Sequence, residues 1–210
     1  MLFKNLVIGT MANNCYIIAD EETREAAVFD APFNGEPICN FLKENNLTLK
    51  YIILTHGHFD HITAVHDILA GFPNAKIVAH TSSDILFADT AKNLTDRYCR
   101  KSFTLSADIK VEDEDVIKLG SIDIKVIHTP GHTCDSLCFL IEDKLISGDT
   151  LFRFEVGRAD FPTSSFEQEI SSIVDKLYVL PPETRVYPGH GEPTTIGDEI
   201  KGNPYTRGKI

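Results

Sequence analysis

Four potential metal ligands, His56, His58, Asp60 and His61, fall within the eight residues LTHGHFDH at positions 54–61. The apolar run Tyr51 to Leu54 before them reads as a strand. From Asp60 onward, Ile62, Val65, Ile68 and Leu69 recur at helical spacing until Gly71 and Pro73 stop the pattern. The ligands therefore stand where a strand ends and a helix begins. An extended segment sends alternate side chains to one side, so His56 and His58 point together while Asp60 and His61 open the helix. Two adjoining metal pockets are compatible with that spacing, and the local cluster completes neither. A fold for this chain has to carry distant ligands to this turn.

Three later loops offer them: His132 in TPGHT, Asp149 in SGDTLF and His190 in YPGHG, each after a strand-like segment. Glycine flanks each one and lets the backbone approach a site closely. A single histidine in such a loop would read as a surface or hydrogen-bonding residue, but four loops of this kind in one chain point to a metal site. His66, His80 and His128 lie outside these loops and read as structural, His66 as a helix-face residue. Cys134 and Cys138, placed four apart along a strand, read as core.

Strand-length apolar runs at Leu2 to Ile8, Cys15 to Ala19 and Ala26 to Phe29 predict an antiparallel meander, followed by a helix from Glu36-Pro37 through Asn45. Lys76 to Ala79 is a further strand. The pattern then approximately repeats: strands at Val116 to Leu119, Ile122 to Ile127, Leu137 to Ile141 and Lys144 to Ile146, then a helix from about Ser164 to Tyr178. Two blocks of strands, each followed by helices, predict two sheets packed face to face under outer helices. No linker rich in Pro, Gly or Ser divides the 210 residues, so residues 1–210 read as a single domain. Lys92 to Ala107 is polar and irregular, which predicts a mobile loop near one rim.

The net charge of −11, with 31 acidic against 20 basic residues, argues against nucleic acid or an anionic membrane as partner. Five scattered cysteines without a paired framework fit a reducing compartment. The first twenty residues interrupt their apolar pattern at Asn13-Asn14, unlike a signal peptide, and no run approaches the length of a membrane span. A cytoplasmic location is expected. The oligomeric state is not set by the sequence.

The order HxHxDH, PGHT, GDTLF, PGHG resembles the metallo-β-lactamase superfamily, and within it short, single-domain glyoxalase II-like (hydroxyacylglutathione hydrolase-like) thioester hydrolases. The resemblance implies an α/β fold, the αββα four-layer sandwich, with a binuclear site at one edge. It implies that His56, His58 and His132 hold one ion, that Asp60, His61 and His190 hold the other, and that Asp149 bridges them. Two divalent ions are implied, zinc first, with iron or manganese as alternatives. The activity implied is hydrolysis of a thioester such as S-lactoylglutathione through a metal-bridging hydroxide, with Asp60 orienting the attack. Asp30, in VFDAP, matches an early aspartate of the family that is structural and not a ligand. Thr55 and Thr133 read as residues that steady neighbouring ligands.

About twenty residues follow His190, so the C-terminal helical domain through which classical glyoxalase II contacts glutathione is not expected. Arg153 and Arg158 are the cations nearest Asp149 in sequence and candidates for a substrate carboxylate, while Arg158 could instead pair with Asp160. Relatives carry Gly where Asp135 stands, so its carboxylate could tune a metal, exclude anionic substrates or face solvent. The GDxLF and GRxDFP elements also resemble the persulfide dioxygenases of the superfamily, which would use one iron on His56, His132 and Asp149. A lactonase and a non-catalytic binding module rank below these.

Overall fold

The computed structural model describes residues 1–209. Strands β1 (Leu2–Ile8), β2 (Asn13–Ala19) and β3 (Glu25–Phe29) form the expected antiparallel meander, with Leu2 opposite Ala19 and Tyr16 opposite Phe29. Helix α1 (Glu36–Glu44) follows, with Pro37 in its first turn, where a missing N–H leaves nothing unpaired. It returns the chain to β4 (Thr48–Ile53), which pairs with β3 in parallel. Helices α2 (Phe59–Ile62) and α3 (Val65–Gly71) lead to β5 (Lys76–His80), and α4 (Asp84–Phe87) and α5 (Thr95–Tyr98) lead to β6 (Ile109–Val111). The first sheet runs β1-β2-β3-β4-β5-β6.

The second sheet is built from β7 (Val116–Leu119), β8 (Ile122–His128), β9 (Leu137–Ile141) and β10 (Lys144–Gly148), each antiparallel to the next. A small hairpin, β11 (Leu151–Phe152) and β12 (Glu155–Val156), and helix α6 (Phe166–Ser172) come before the sheet is completed. Strand β13 (Arg185–Pro188) then joins β10 in parallel and β14 (Thr194–Thr195) closes the edge, before helix α7 (Ile196–Gly202). The order is β14-β13-β10-β9-β8-β7.

Alternation along the strands sorts the apolar side chains into layers. In β2, Tyr16 and Ile18 face the second sheet, where Phe29 meets Phe139 edge-on at 5.4 Å. Cys15, Ile17 and Ala19 of the same strand join Ile38 and Leu42 of α1 and Val65 and Ile68 of α3. On the far side, Ile127, Cys138, Leu145 and Val186 join Ile173, Leu177 and Ile196. Helix, sheet, sheet, helix is the predicted αββα sandwich.

Three local expectations are corrected. The helix predicted from Asp60 breaks at Thr63 and Ala64, because the Ala64 N–H donates to Ala31 O at 2.8 Å instead of continuing the helical ladder. The segment 92–107 is not without structure: it contains α5, and Phe103, Leu105 and Ala107 pack against the outer core. Cys134 is half-buried in the loop before β9 and not within that strand, whereas Cys138 is core as expected. Among the described residues, no cysteine is paired and no helix is long and apolar enough to cross a membrane.

Candidate metal centre

The seven predicted ligands converge at one edge of the sandwich, beyond the strand ends. His56 and His58 follow β4, His132 follows β8, Asp149 follows β10 and His190 follows β13, while Asp60 and His61 open α2. Donor atoms of His56, His58 and His132 lie within 4.8 Å of one another, as do those of His56, His61 and Asp149, and those of Asp60, His61 and His190. His61 Nε2 stands 3.5 Å from Asp60 Oδ2 and 3.4 Å from Asp149 Oδ1. His190 Nε2 stands 3.3 Å from Asp60 Oδ2 and 3.6 Å from Asp149 Oδ2. His66, His80 and His128 join none of these groups.

Hydrogen bonds from behind aim the rings. Nδ1 of His61 faces Asp30 Oδ2 at 2.7 Å, Nδ1 of His132 donates to Arg158 O at 2.8 Å, and Nδ1 of His190 donates to Met11 O at 3.1 Å. Thr55 Oγ1 donates to Asp30 Oδ2 at 2.9 Å and lies 3.1 Å from Nδ1 of His56. Tying down Nδ1 favours the tautomer whose Nε2 carries the lone pair on four of the five rings. His58 differs, with Nδ1 2.9 Å from His132 Nε2. Asp30 and Thr55 are thus placed behind the ligands as anticipated. Thr133 donates its hydroxyl to Asp135 at 2.7 Å.

Among the described residues, Nε2 of His56, His58 and His61 and Oδ1 of Asp149 are buried without a hydrogen-bond partner. Buried lone pairs without a partner are costly unless a cation takes them, and these four residues belong to two of the ligand groups above, His56–His58–His132 and His56–His61–Asp149. Imidazole with carboxylate is a donor set that suits zinc, iron or manganese. Electrostatics agree. Burial, reinforced by the neighbouring imidazoles, pushes His56 well below its ordinary value, and burial takes His58 down to about 3. Burial also lowers His132. Burial opposes protonation of His61, but the carboxylates of Asp149, Asp60 and Asp30 outweigh it and hold that ring well above its ordinary value. Those carboxylates create a place for positive charge, flanked by neutral imidazoles.

Several residues that complete the site carried no local signal. Asn13 Nδ2 donates to Asp60 Oδ2 at 3.0 Å and lies 3.3 Å from His190 Nε2. Asn14 Nδ2 donates to Pro188 O and Gly191 O, each at 2.9 Å, and the Tyr16 hydroxyl donates to Pro188 O at 2.7 Å, so β2 holds the PGHG loop. Glu169, fully buried on α6, accepts from His132 N at 2.6 Å and Gly157 N at 3.2 Å. Burial pushes its carboxyl up to about 8. Glu199 on α7 accepts from Phe154 N at 3.0 Å and so braces the β11–β12 hairpin.

A cavity of about 660 Å³ opens from His58, Asp60, His132, Asp149 and His190. Arg153 and Arg158 line it, but each is already engaged. Arg153 pairs with Glu192, and Arg158 makes a bidentate pair with Asp160 at 3.0 and 2.8 Å over the ring of Phe161. Asp135 does not face solvent: it is 1% exposed, and burial raises its carboxyl to about 6.

Comparison with known proteins agrees with this fold. The family model described as metallo-beta-lactamase superfamily matches residues 8–190. The crystal structure of the BLEG-1 B3 metallo-beta-lactamase superposes with a TM-score of 0.91 at 34% identity, covering 99% of this chain and 100% of that one. The di-iron-bound form of TTHA1623 gives a TM-score of 0.84 at 28% identity, covering 96% and 99%. Hydroxyacylglutathione hydrolase GloC of Haemophilus influenzae is 31% identical over 96% of both chains.

Proposed function

The chain belongs to the metallo-beta-lactamase superfamily, and from that premise we propose that it is a binuclear metallohydrolase that cleaves thioesters, with S-lactoylglutathione as the reference substrate. The observation that carries the reading is that buried, unpartnered atoms of His56, His58, His61 and Asp149 belong to residues whose ligand atoms gather into adjoining groups. In this proposal His56, His58 and His132 hold one divalent ion, Asp60, His61 and His190 hold a second, and Asp149 lies between them. The similarity to a hydroxyacylglutathione hydrolase and to a di-iron protein supports both halves of it.

Bound divalent ions would supply water of lowered proton affinity and polarisation of the substrate carbonyl. The chain's own groups do the rest. Asp60, fixed by Asn13 through Oδ2, is placed to accept a hydrogen bond from the attacking water and set its direction. The backbone carbonyls facing Nδ1 of His132 and His190 favour the tautomer whose Nε2 is available to an ion. A covalent route through a thiol has little support, because burial pushes Cys138 up to about 12 and raises Cys134, the cysteine nearest His132 in sequence. A thiolate leaves readily, so no strong acid has to protonate it.

Elemental analysis of the purified protein together with turnover tests the reading. Two ions per chain and hydrolysis of S-lactoylglutathione without oxygen uptake are expected. One tightly held iron with oxygen consumption on glutathione persulfide would replace it with a persulfide dioxygenase. Two bound metals with no turnover of thioester, lactone or persulfide would leave a binding module.

A further inference from the structure

Resting on the thioesterase reading, we propose that this pocket selects thioesters whose thiol carrier is uncharged, and that a carrier bearing carboxylates, glutathione included, is a poor fit. The cavity has two kinds of wall. Apolar and aromatic side chains come from separate parts of the chain: Leu94 and Tyr98 at the two ends of α5, Phe152 and Val156 on the hairpin, Phe161 after it, and Tyr205 beyond α7. Tyr98 is backed by Phe59, with the rings stacked at 4.7 Å.

The charged wall has no cation to spare among the described residues that line the cavity. Arg153 is held by Glu192 and Arg158 by both oxygens of Asp160, and the carboxylates of Glu155 and Glu192 line the same cavity. An incoming carboxylate therefore has to share an arginine with one of these partners or displace it. Exposed ion pairs are individually weak, so the displacement is possible. It gains nothing in net attraction, however, because the released Glu192 or Asp160 stays beside the new anion. The chain's overall charge of −11 adds repulsion during approach. An uncharged carrier meets none of this and still covers the aromatic wall.

The test compares two substrates with the same acyl group on the metal-loaded enzyme: S-lactoylglutathione and S-lactoyl-N-acetylcysteamine, which is neutral. We expect kcat/KM to favour the neutral ester roughly tenfold at low salt, with the gap narrowing as salt screens the rim. The double variant Asp160→Asn, Glu192→Gln, which frees both arginines, should raise the ratio of glutathione ester to neutral ester by roughly fivefold. Equal or better kcat/KM for the glutathione ester in the unaltered enzyme would overturn the proposal, as would an unchanged ratio in the variant. Turnover of neither ester would count against the thioesterase reading alone. The pocket preference would then be read by calorimetry from the uncleavable thioethers S-hexylglutathione and S-hexyl-N-acetylcysteamine, and tighter binding of the glutathione thioether would refute it.

Discussion

The Asp30 carboxylate stands 2.7 Å from Nδ1 of His61, and the opposite nitrogen of that ring lies between Asp60 and Asp149. Asp30 also accepts from Thr55 N at 2.8 Å, so one buried carboxylate at the end of β3 sets both the turn after β4 and a ligand on α2. Asp30→Ala frees the His61 ring and orphans the Thr55 N–H. We expect roughly a 10- to 100-fold loss of metal affinity and about 1–3 kcal/mol of stability. Competition against a chelator reads the first and urea unfolding of the metal-free protein the second. Unchanged affinity would show that Asp30 is only a structural strut.

Asp149 is the group whose removal should do most damage to the two-metal arrangement. Its oxygens face His61 at 3.4 Å, His190 at 3.6 Å and His132 at 3.8 Å, and no other proposed ligand reaches all three of these. In Asp149→Ala the metal content should fall below two ions per chain, and thioester turnover should drop by more than roughly 100-fold, the loss typical of residues that merely support a ligand. Two retained ions with normal turnover would refute the bridging role.

The proposed ligands were legible in the sequence because His56, His58, His132, Asp149 and His190 stand beside glycine after apolar runs and Asp60 and His61 follow His58 at once, a signal that is local. Of the groups that hold them, Asp30 and Thr55 were anticipated but Asn13 and Glu169 were not, and the reason is physical. Asn13 looks like an interruption in a strand pattern, and Glu169 like an ordinary polar residue on a helix, until tertiary packing buries them against His190 and His132. The two-sheet sandwich was readable from two blocks of strand-length apolar runs, each followed by helices. The short β6, β11, β12 and β14 were missed because two or three residues carry no usable periodicity, and the break before α3 was missed because it depends on Ala31, thirty-three residues earlier in the chain.

Gly57, between His56 and His58, has no room for a side chain. A Cβ there would meet Leu86 Cβ at 2.7 Å and Asp135 Oδ2 at 3.2 Å, and both neighbours are buried. Gly57→Ala should cost about 1–3 kcal/mol by overpacking and displace both flanking histidines, which weakens metal binding. Gly71→Ala is the contrasting change: at the end of α3 its Cβ would meet only Cys39 Sγ at 3.6 Å. It should be neutral or stabilise by up to about 1 kcal/mol. Urea midpoints and chelator competition on both variants distinguish a steric effect at the turn from a general intolerance of alanine.

His80 and His128 form a second imidazole pair, stacked at 3.8 Å between ring centroids and away from the seven ligands. His80 Nδ1 accepts from Ser82 N at 3.1 Å, which needs that ring neutral, and His128 Nε2 donates to Cys134 O at 3.0 Å. Burial and the facing His128 lower His80 to about 4, with Lys176 adding to the effect and Asp113 opposing it. Burial also lowers His128. Between the unfolded value of 6.5 and about 4, the unfolded chain therefore binds more protons than the folded protein. Stability should be intact above that window and fall as pH drops through it, by about 1–2 kcal/mol for His80 after allowance for solvent screening. His80→Asn keeps an acceptor for the Ser82 N–H but cannot titrate, so its stability relative to the unaltered protein should improve steadily from pH 7 to pH 4. Urea unfolding of the metal-free proteins at several pH values measures this, and parallel curves would mean that the pair titrates normally in the folded state.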